Sequence, residues 1–176
     1  MKRTIALLAA LALLLPLLGC RSAESGAGSA PGGSGEEILS FALTWDVYGI
    51  SSYDSATGRL VKTKDATHPE DYVTTCTLSA ETMDEIRALL ASLDVNSYPD
   101  EYNPTPSQAS EPPMTLILTV RTDGGEKTIR AENISLSFSS DNKKGQAFLD
   151  ACKTIRDLLT ATDEWKALPD YEFYYE

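Results

Sequence analysis

The chain has 176 residues and is strongly acidic, with 26 Asp and Glu against 15 Lys and Arg and a formal net charge of −11 at pH 7. This charge repels phosphate groups, so it argues against nucleic-acid binding and against electrostatic docking to anionic lipid. The chain contains one histidine and three cysteines, none in a CxxC pair, which argues against the usual zinc clusters. We expect no metal and no cofactor.

The N-terminus has the order of features found in an export signal. Lys2 and Arg3 precede an uncharged, largely apolar run of 14 residues, Ile5–Leu18. That run fits the core of a signal peptide and is shorter than the roughly 18 to 20 residues that span a bilayer. We therefore predict a signal peptide over residues 1–19 rather than a permanent transmembrane helix.

The end of this run, Leu17-Leu18-Gly19-Cys20, resembles the lipobox of bacterial lipoproteins. In that family the cysteine after the cleavage site receives a diacylglyceryl group on its sulfur. The resemblance implies that Cys20 is the lipidated first residue of the mature chain. It also implies that the protein is anchored by lipid on the extracytoplasmic face of the cell membrane, with the membrane as its first partner.

The segment after Cys20 has the composition of a flexible tether. Residues 21–35 contain five Gly, four Ser, three Ala and one Pro, with no large apolar side chain. A chain of this kind reaches roughly 20 Å, taking about 5 to 6 Å times the square root of its length. We therefore assign residues 20–35 to the lipidated cysteine and its tether.

Residues 36–176 have the length of a single domain. Removal of the signal peptide takes away Lys2 and Arg3 but no acid, which leaves 13 basic against 26 acidic residues, a charge of −13. Two cysteines remain, Cys76 and Cys152. Each shares a predicted strand or helix face with apolar neighbours, so we expect both to point into the core. The sequence leaves open whether they form a disulfide.

The first half of the domain begins with three predicted strands. In the first, large apolar residues alternate with smaller or polar ones, which indicates a strand with one buried face: Leu39, Phe41, Leu43, Trp45 and Val47. Residues 49–58 have the composition of a turn. The short, polar second strand, 59–64, is expected at a sheet edge, and a third covers 72–78.

Two helices show clear periodicity. Ser79 is a predicted N-cap for a helix over 80–94, and a second helix begins near Lys143 or Lys144. Their predicted core stripes are Met83, Ile86, Leu90 and Leu93 in the first and Phe148, Cys152, Ile155 and Leu159 in the second. Thr162–Trp165 resembles a newly capped turn that brings Trp165 back to the domain. The tail, 171–175, is a candidate edge strand.

A hairpin lies between these helices. Alternation over 114–120 is followed by Asp123-Gly124-Gly125 and a second strand over 127–133, with a change of parity near Glu132–Asn133 that indicates a bulge. The sequence thus predicts an α+β domain. We expect an antiparallel sheet of about five strands with two helices packed on one face, in the order β-β-β-α-β-β-α.

No catalytic motif is present in this domain, so the expected function is non-enzymatic binding or envelope interaction. The alternative is an envelope hydrolase that uses carboxylates. Residues 96–113 are predicted to form a long exposed loop rich in proline, tyrosine and acid, and such loops often carry function. The candidate binding surface for a protein or other envelope component is Tyr98, Asp100, Glu101 and Tyr102.

Overall fold

Seven strands and three α-helices make up the part of the chain that the computed structural model describes, which is residues 36–46, 50–63, 71–106, 114–135 and 137–170. These residues belong to one compact unit, Gly32–Glu176. The strands are β1 (Ile38–Trp45), β2 (Ser51–Asp54), β3 (Arg59–Thr63), β4 (Asp71–Thr75), β5 (Glu101–Tyr102), β6 (Met114–Thr122) and β7 (Gly125–Ile134). The helices are α1 (Ala80–Leu93), α2 (Lys143–Thr160) and α3 (Asp163–Ala167), and a short 3-10 turn covers Val95–Ser97.

All seven strands form one sheet in the order β4-β3-β2-β1-β6-β7-β5. Neighbouring strands are antiparallel except β5, which lies parallel to β7. The α+β class and the mostly antiparallel sheet are therefore confirmed. The expectation of about five strands is wrong, because β2 and β5 lie in segments whose composition indicated a turn and a loop.

The strand β2 lies within residues 49–58, where we expected a turn. Ser51 and Tyr53 are buried while their neighbours are half-buried, so the segment has the period of a strand despite its polar residues. The turn itself is shorter, and the Gly58 amide donates to the Asp54 carbonyl at 2.8 Å. Because β3 pairs with both β2 and β4, it is an inner strand, contrary to our expectation.

A bulge near the start of β1 changes which residues face the core. Ile38 pairs with Thr122 and Ser40 with Arg121, so Leu39 is an extra residue in β1. Ile38 therefore packs against the core and Leu39 is 53% exposed. The predicted burial of Phe41, Leu43 and Trp45 is confirmed, that of Leu39 is wrong, and residue 47 lies outside the described residues.

Side-chain caps begin all three helices. The Ser79 hydroxyl accepts from the Thr82 amide at 3.1 Å, as predicted, and the side-chain Oδ1 of Asn142 accepts from the Gly145 amide at 2.7 Å. Thr162 caps α3 in the same way, through the Trp165 amide. Each cap satisfies a backbone N–H that the first helical turn leaves unpaired.

The core lies between the sheet and the two long helices. It joins Phe41, Leu43 and Leu118 from the sheet to Ile86 and Leu90 of α1 and the predicted stripe of α2.

The hairpin of β6 and β7 also forms as predicted. Met114 pairs with Ile134 but Leu116 with Ala131, which confirms an extra residue at Glu132–Asn133.

The C-terminal helix α3 returns to the sheet through aromatic and charged contacts. The rings of Trp45 and Trp165 lie 5.4 Å apart, as expected for a tryptophan that packs back onto the domain. Lys62 of β3 is buried, and its ammonium donates to the Leu168 carbonyl at 3.4 Å and to the Asp170 carboxylate at 3.1 Å. The predicted tail strand, 171–175, lies outside the described residues.

Candidate binding surface at the edge of the sheet

The four residues predicted as a binding surface separate into two buried or half-buried rings and two exposed acids. Tyr98 is only 4% exposed and Tyr102 is half-buried. Their rings meet edge to face at 5.1 Å, and both pack on Phe148 of α2 at 5.7 and 5.6 Å. The tyrosines therefore hold this segment on the core, and Tyr98 offers little surface to a partner.

The packed rings of Tyr98 and Tyr102, which we call the aromatic anchor, are supported by polar contacts. The Tyr98 hydroxyl donates to the Lys144 carbonyl at 3.1 Å, and the Lys144 ammonium lies 4.5 Å from the centre of the Tyr98 ring. Burial raises the pKa of Tyr98 to about 12, with a further contribution from Tyr102. The phenol is thus neutral at physiological pH and serves as a structural donor.

The segment that follows β5 is also built into the domain. Thr105 is fully buried, and the Ser140 hydroxyl donates to the Pro104 carbonyl. The part of the predicted loop from 96 to 106 thus contains a 3-10 turn, a strand and a buried threonine, so the expectation of an exposed loop is wrong there. Residues 107–113 lie outside the described part of the chain.

Asp100 and Glu101 remain at the surface, beside β7. The Asp100 carboxylate is 83% exposed and accepts from the Lys127 ammonium. The Asp100 carbonyl accepts from the Arg130 amide at 2.7 Å, which joins β5 to β7. Glu101 is exposed, and its carboxylate has no partner among the described residues.

These acids form part of a charged shelf, which we define as Asp100, Glu101, Glu126, Lys127, Thr128 and Arg130. The shelf and Ile117 line a shallow groove of about 380 Å³. Each cation at this edge is paired: Lys127 with Asp100, Arg130 with Glu132 at 2.6 Å, and Arg121 with Glu126 at 2.7 Å and Asp54 at 3.4 Å. Among the residues that the structure describes, the Glu101 carboxylate has no cationic partner and Arg121 pairs with two carboxylates, so carboxylates outnumber cations at this edge.

The β7 residues of the shelf were missed in the sequence. Their alternation predicted a strand, but no local signal indicated that Lys127 and Arg130 meet Asp100 and Glu101, about 30 positions earlier. These residues meet because β5 pairs in parallel with β7. Parallel strands are not joined by a tight turn, so no short sequence motif predicts the pairing.

The two remaining cysteines are both buried and are not bonded to each other. Burial raises the pKa of the Cys152 thiol, and it does the same at Cys76. The Cys76 sulfur lies 3.7 Å from a Glu164 carboxylate oxygen, which also disfavours the thiolate. Since the thiolate is the reactive form, neither site favours thiol chemistry.

Several predicted features fall outside the described residues, namely Cys20, the tether and the candidate edge strand at 171–175. Within the described ranges, no group of three or more His, Cys, Asp or Glu side chains is arranged to hold a metal ion. None of the helices in those ranges is both long enough and apolar enough to cross a membrane. Comparison with protein-family models and with curated proteins finds no match for this chain.

Proposed function

We propose that this chain is a lipid-anchored domain on the extracytoplasmic face of a cell membrane, and that it binds a protein or another envelope component at the charged shelf. The anchor part of the proposal is supported by the charged start, the 14-residue uncharged run and Gly19-Cys20 in the order of a lipoprotein signal. Two acyl chains on Cys20 would hold the mature protein on the membrane stably.

The observation that carries the binding part is the shelf itself. It combines a shallow groove with exposed carboxylates, and β7 and the aromatic anchor of Tyr98 and Tyr102 hold these groups in place. A surface on rigid elements loses little entropy when it binds. The unmatched carboxylate of Glu101 favours a partner with positive charge at the contact.

Mass spectrometry of the membrane fraction tests the anchor. We expect a mature chain that begins at Cys20 and carries the mass of a diacylglyceryl group. We also expect the Cys20→Ala variant to leave the membrane fraction. A mature chain that begins at another residue, or a variant that remains with membranes, would refute the anchor.

Crosslinking on intact cells tests the binding surface. We expect the Glu101→Lys variant to lose a specific crosslinked product that the unsubstituted protein gives. Glu85→Lys is the matched control, because Glu85 is exposed on α1 and its substitution changes the net charge equally. Loss of the product in both variants, or in neither, would show that the shelf is not the binding surface.

A further inference from the structure

Half of β7 has a backbone edge that no other described strand covers. The Arg130 amide donates outward to the carbonyl of Asp100, the residue just before β5, and alternate residues of a strand direct their N–H and C=O groups to the same side. The register between β6 and β7 is regular from Thr122 to Leu116, so Thr128 and Glu126 also direct their backbone groups outward. No described residue pairs with those groups.

The free edge forms a slot with a defined end. It runs over residues 125–129, a length of about 17 Å at 3.3 to 3.4 Å per residue. β5 covers the edge only from Arg130 onward, so Asp100 and Glu101 mark the end of the slot. A chain in the slot would meet four free backbone groups, the N–H and C=O of Glu126 and Thr128, and would extend the line of β5.

Side chains on the two sides of the slot differ in chemistry. Glu126, Thr128 and Arg130 lie on the face of the sheet opposite α1 and α2, because they pair with half-buried Arg121, Thr119 and Ile117, whose alternate neighbours form the core. Glu101 pairs in parallel with Arg130 and therefore shares that face. On the other face, Ile129 is buried, Lys127 is bound to Asp100, and Val95 and Asn96 of the 3-10 turn lie beside the start of β7.

We propose that the slot binds an extended basic peptide, which adds to β7 as a strand and places Lys or Arg side chains at every second position toward Glu126 and Glu101. This inference rests on the proposed function, because it names the partner of the same shelf. Backbone hydrogen bonds supply affinity in such strand addition, while alternate side chains supply specificity.

A second copy of this chain fits the slot less well. The antiparallel register that uses the outward backbone groups of both Glu126 and Thr128 in each copy places Lys127 directly opposite its own counterpart. Like charges in that position are unfavourable. The lysine also protects the edge against indiscriminate pairing, as lysines on edge strands commonly do.

The test measures binding of capped six-residue peptides to the mature protein in detergent. The probe alternates lysine and threonine, and a second peptide has glutamate for lysine. We expect the lysine peptide to bind at least tenfold more tightly. We also expect Glu101→Lys to weaken its binding about tenfold, while Glu85→Lys changes it less than threefold. Equal binding of the two peptides would overturn the proposal.

Backbone N-methylation separates strand addition from charge attraction. One probe series is methylated at every lysine and the other at every threonine, so each loses the donors along one edge of the extended peptide. Because only one edge can face β7, we expect one series to lose at least tenfold in affinity and the other to stay within threefold. Any other pattern overturns strand addition.

A variant of β7 provides an independent check from the protein side. Thr128→Pro removes an outward N–H and leaves the backbone hydrogen bonds to β6 intact, which edge strands tolerate. Thr128→Val keeps that N–H, and both variants lose the same hydroxyl contact with Thr119. We expect tenfold weaker binding in the first variant only, with both folded by circular dichroism, and equal binding would refute strand addition. If no peptide binds while crosslinking still depends on Glu101, the peptide proposal fails and the proposed function stands.

Discussion

The Gly145→Ala substitution adds a methyl group where α2 meets the segment that follows β5. Gly145 is the third residue of α2, and a Cβ built there overlaps the Ser140 hydroxyl and lies 2.6 Å from the Pro104 carbonyl oxygen. The hydroxyl and the carbonyl are themselves hydrogen-bonded, so neither moves without loss of that bond. The glycine is therefore required by close approach, although its backbone is helical.

Two opposing effects set the size of the change. Replacement of glycine by alanine inside a helix ordinarily stabilises a protein by about 0.5 to 1 kcal/mol. Overpacking of a filled site costs about 1 to 3 kcal/mol, and a contact with backbone is hard to relieve. We therefore expect a net loss of about 1 to 2 kcal/mol in the free energy of unfolding and a fall of a few degrees in Tm.

Urea denaturation followed by circular dichroism measures this change. Thr154→Ala on the same helix is the matched control, and it should be neutral or slightly stabilising because alanine favours helix. Adding Ser140→Ala to Gly145→Ala removes the nearest clash but leaves the Pro104 carbonyl, so we expect partial recovery. If Gly145→Ala were more stable than the unsubstituted protein, that result would contradict the close approach of Pro104 to α2.

Three further predictions concern the buried groups. Tyr98→Ala should lower the free energy of unfolding, measured by urea denaturation, by about 3 to 5 kcal/mol. Tyr98→Phe loses only the hydroxyl hydrogen bond and should lower it by about 0.5 to 1.5 kcal/mol. Equal losses in the two variants would contradict the packing of the aromatic anchor. Cys76 and Cys152 should react with a thiol reagent only after unfolding, so rapid labelling of the native protein would refute their burial. Burial raises the pKa of Tyr53 to about 12 from 10.0 in the unfolded chain, and that of Tyr98 likewise. The contribution of these two neutral phenols to the free energy of unfolding is therefore fully present below pH 10. It is lost as the pH rises from 10 to about 12, because the unfolded chain ionises first. The Tyr53→Phe variant should show a weaker loss in that range, and an identical pH profile would contradict the shift.

Elements encoded by neighbouring residues were predictable. Ser79 and the stripe that includes Ile86 and Leu90 indicated α1 because capping and helical periodicity act within a few residues. Asp123-Gly124 indicated the hairpin for the same reason, and the parity change located the bulge at Glu132–Asn133.

Elements that depend on distant pairing were not predictable. β2 consists of polar residues around Tyr53 and is a strand because β1 and β3 lie on either side of it. β5 has only two residues and no strand pattern, and it exists because Asp100 meets Arg130 on β7. The exposure of Leu39 depends on the bulge between β1 and β6, which its own alternation does not reveal.

The candidate site divides in the same way. The anchor at Cys20 remains a prediction from the sequence alone, since a lipoprotein signal is a linear pattern of charge, apolar length and one cysteine. The sequence also identified Asp100 and Glu101 as surface acids. Only the tertiary structure decided that Tyr98 is buried, because its ring gains more from Phe148 and Tyr102 than from water. The same structure joined those acids to β7, because a parallel pair brings together residues that no local turn connects.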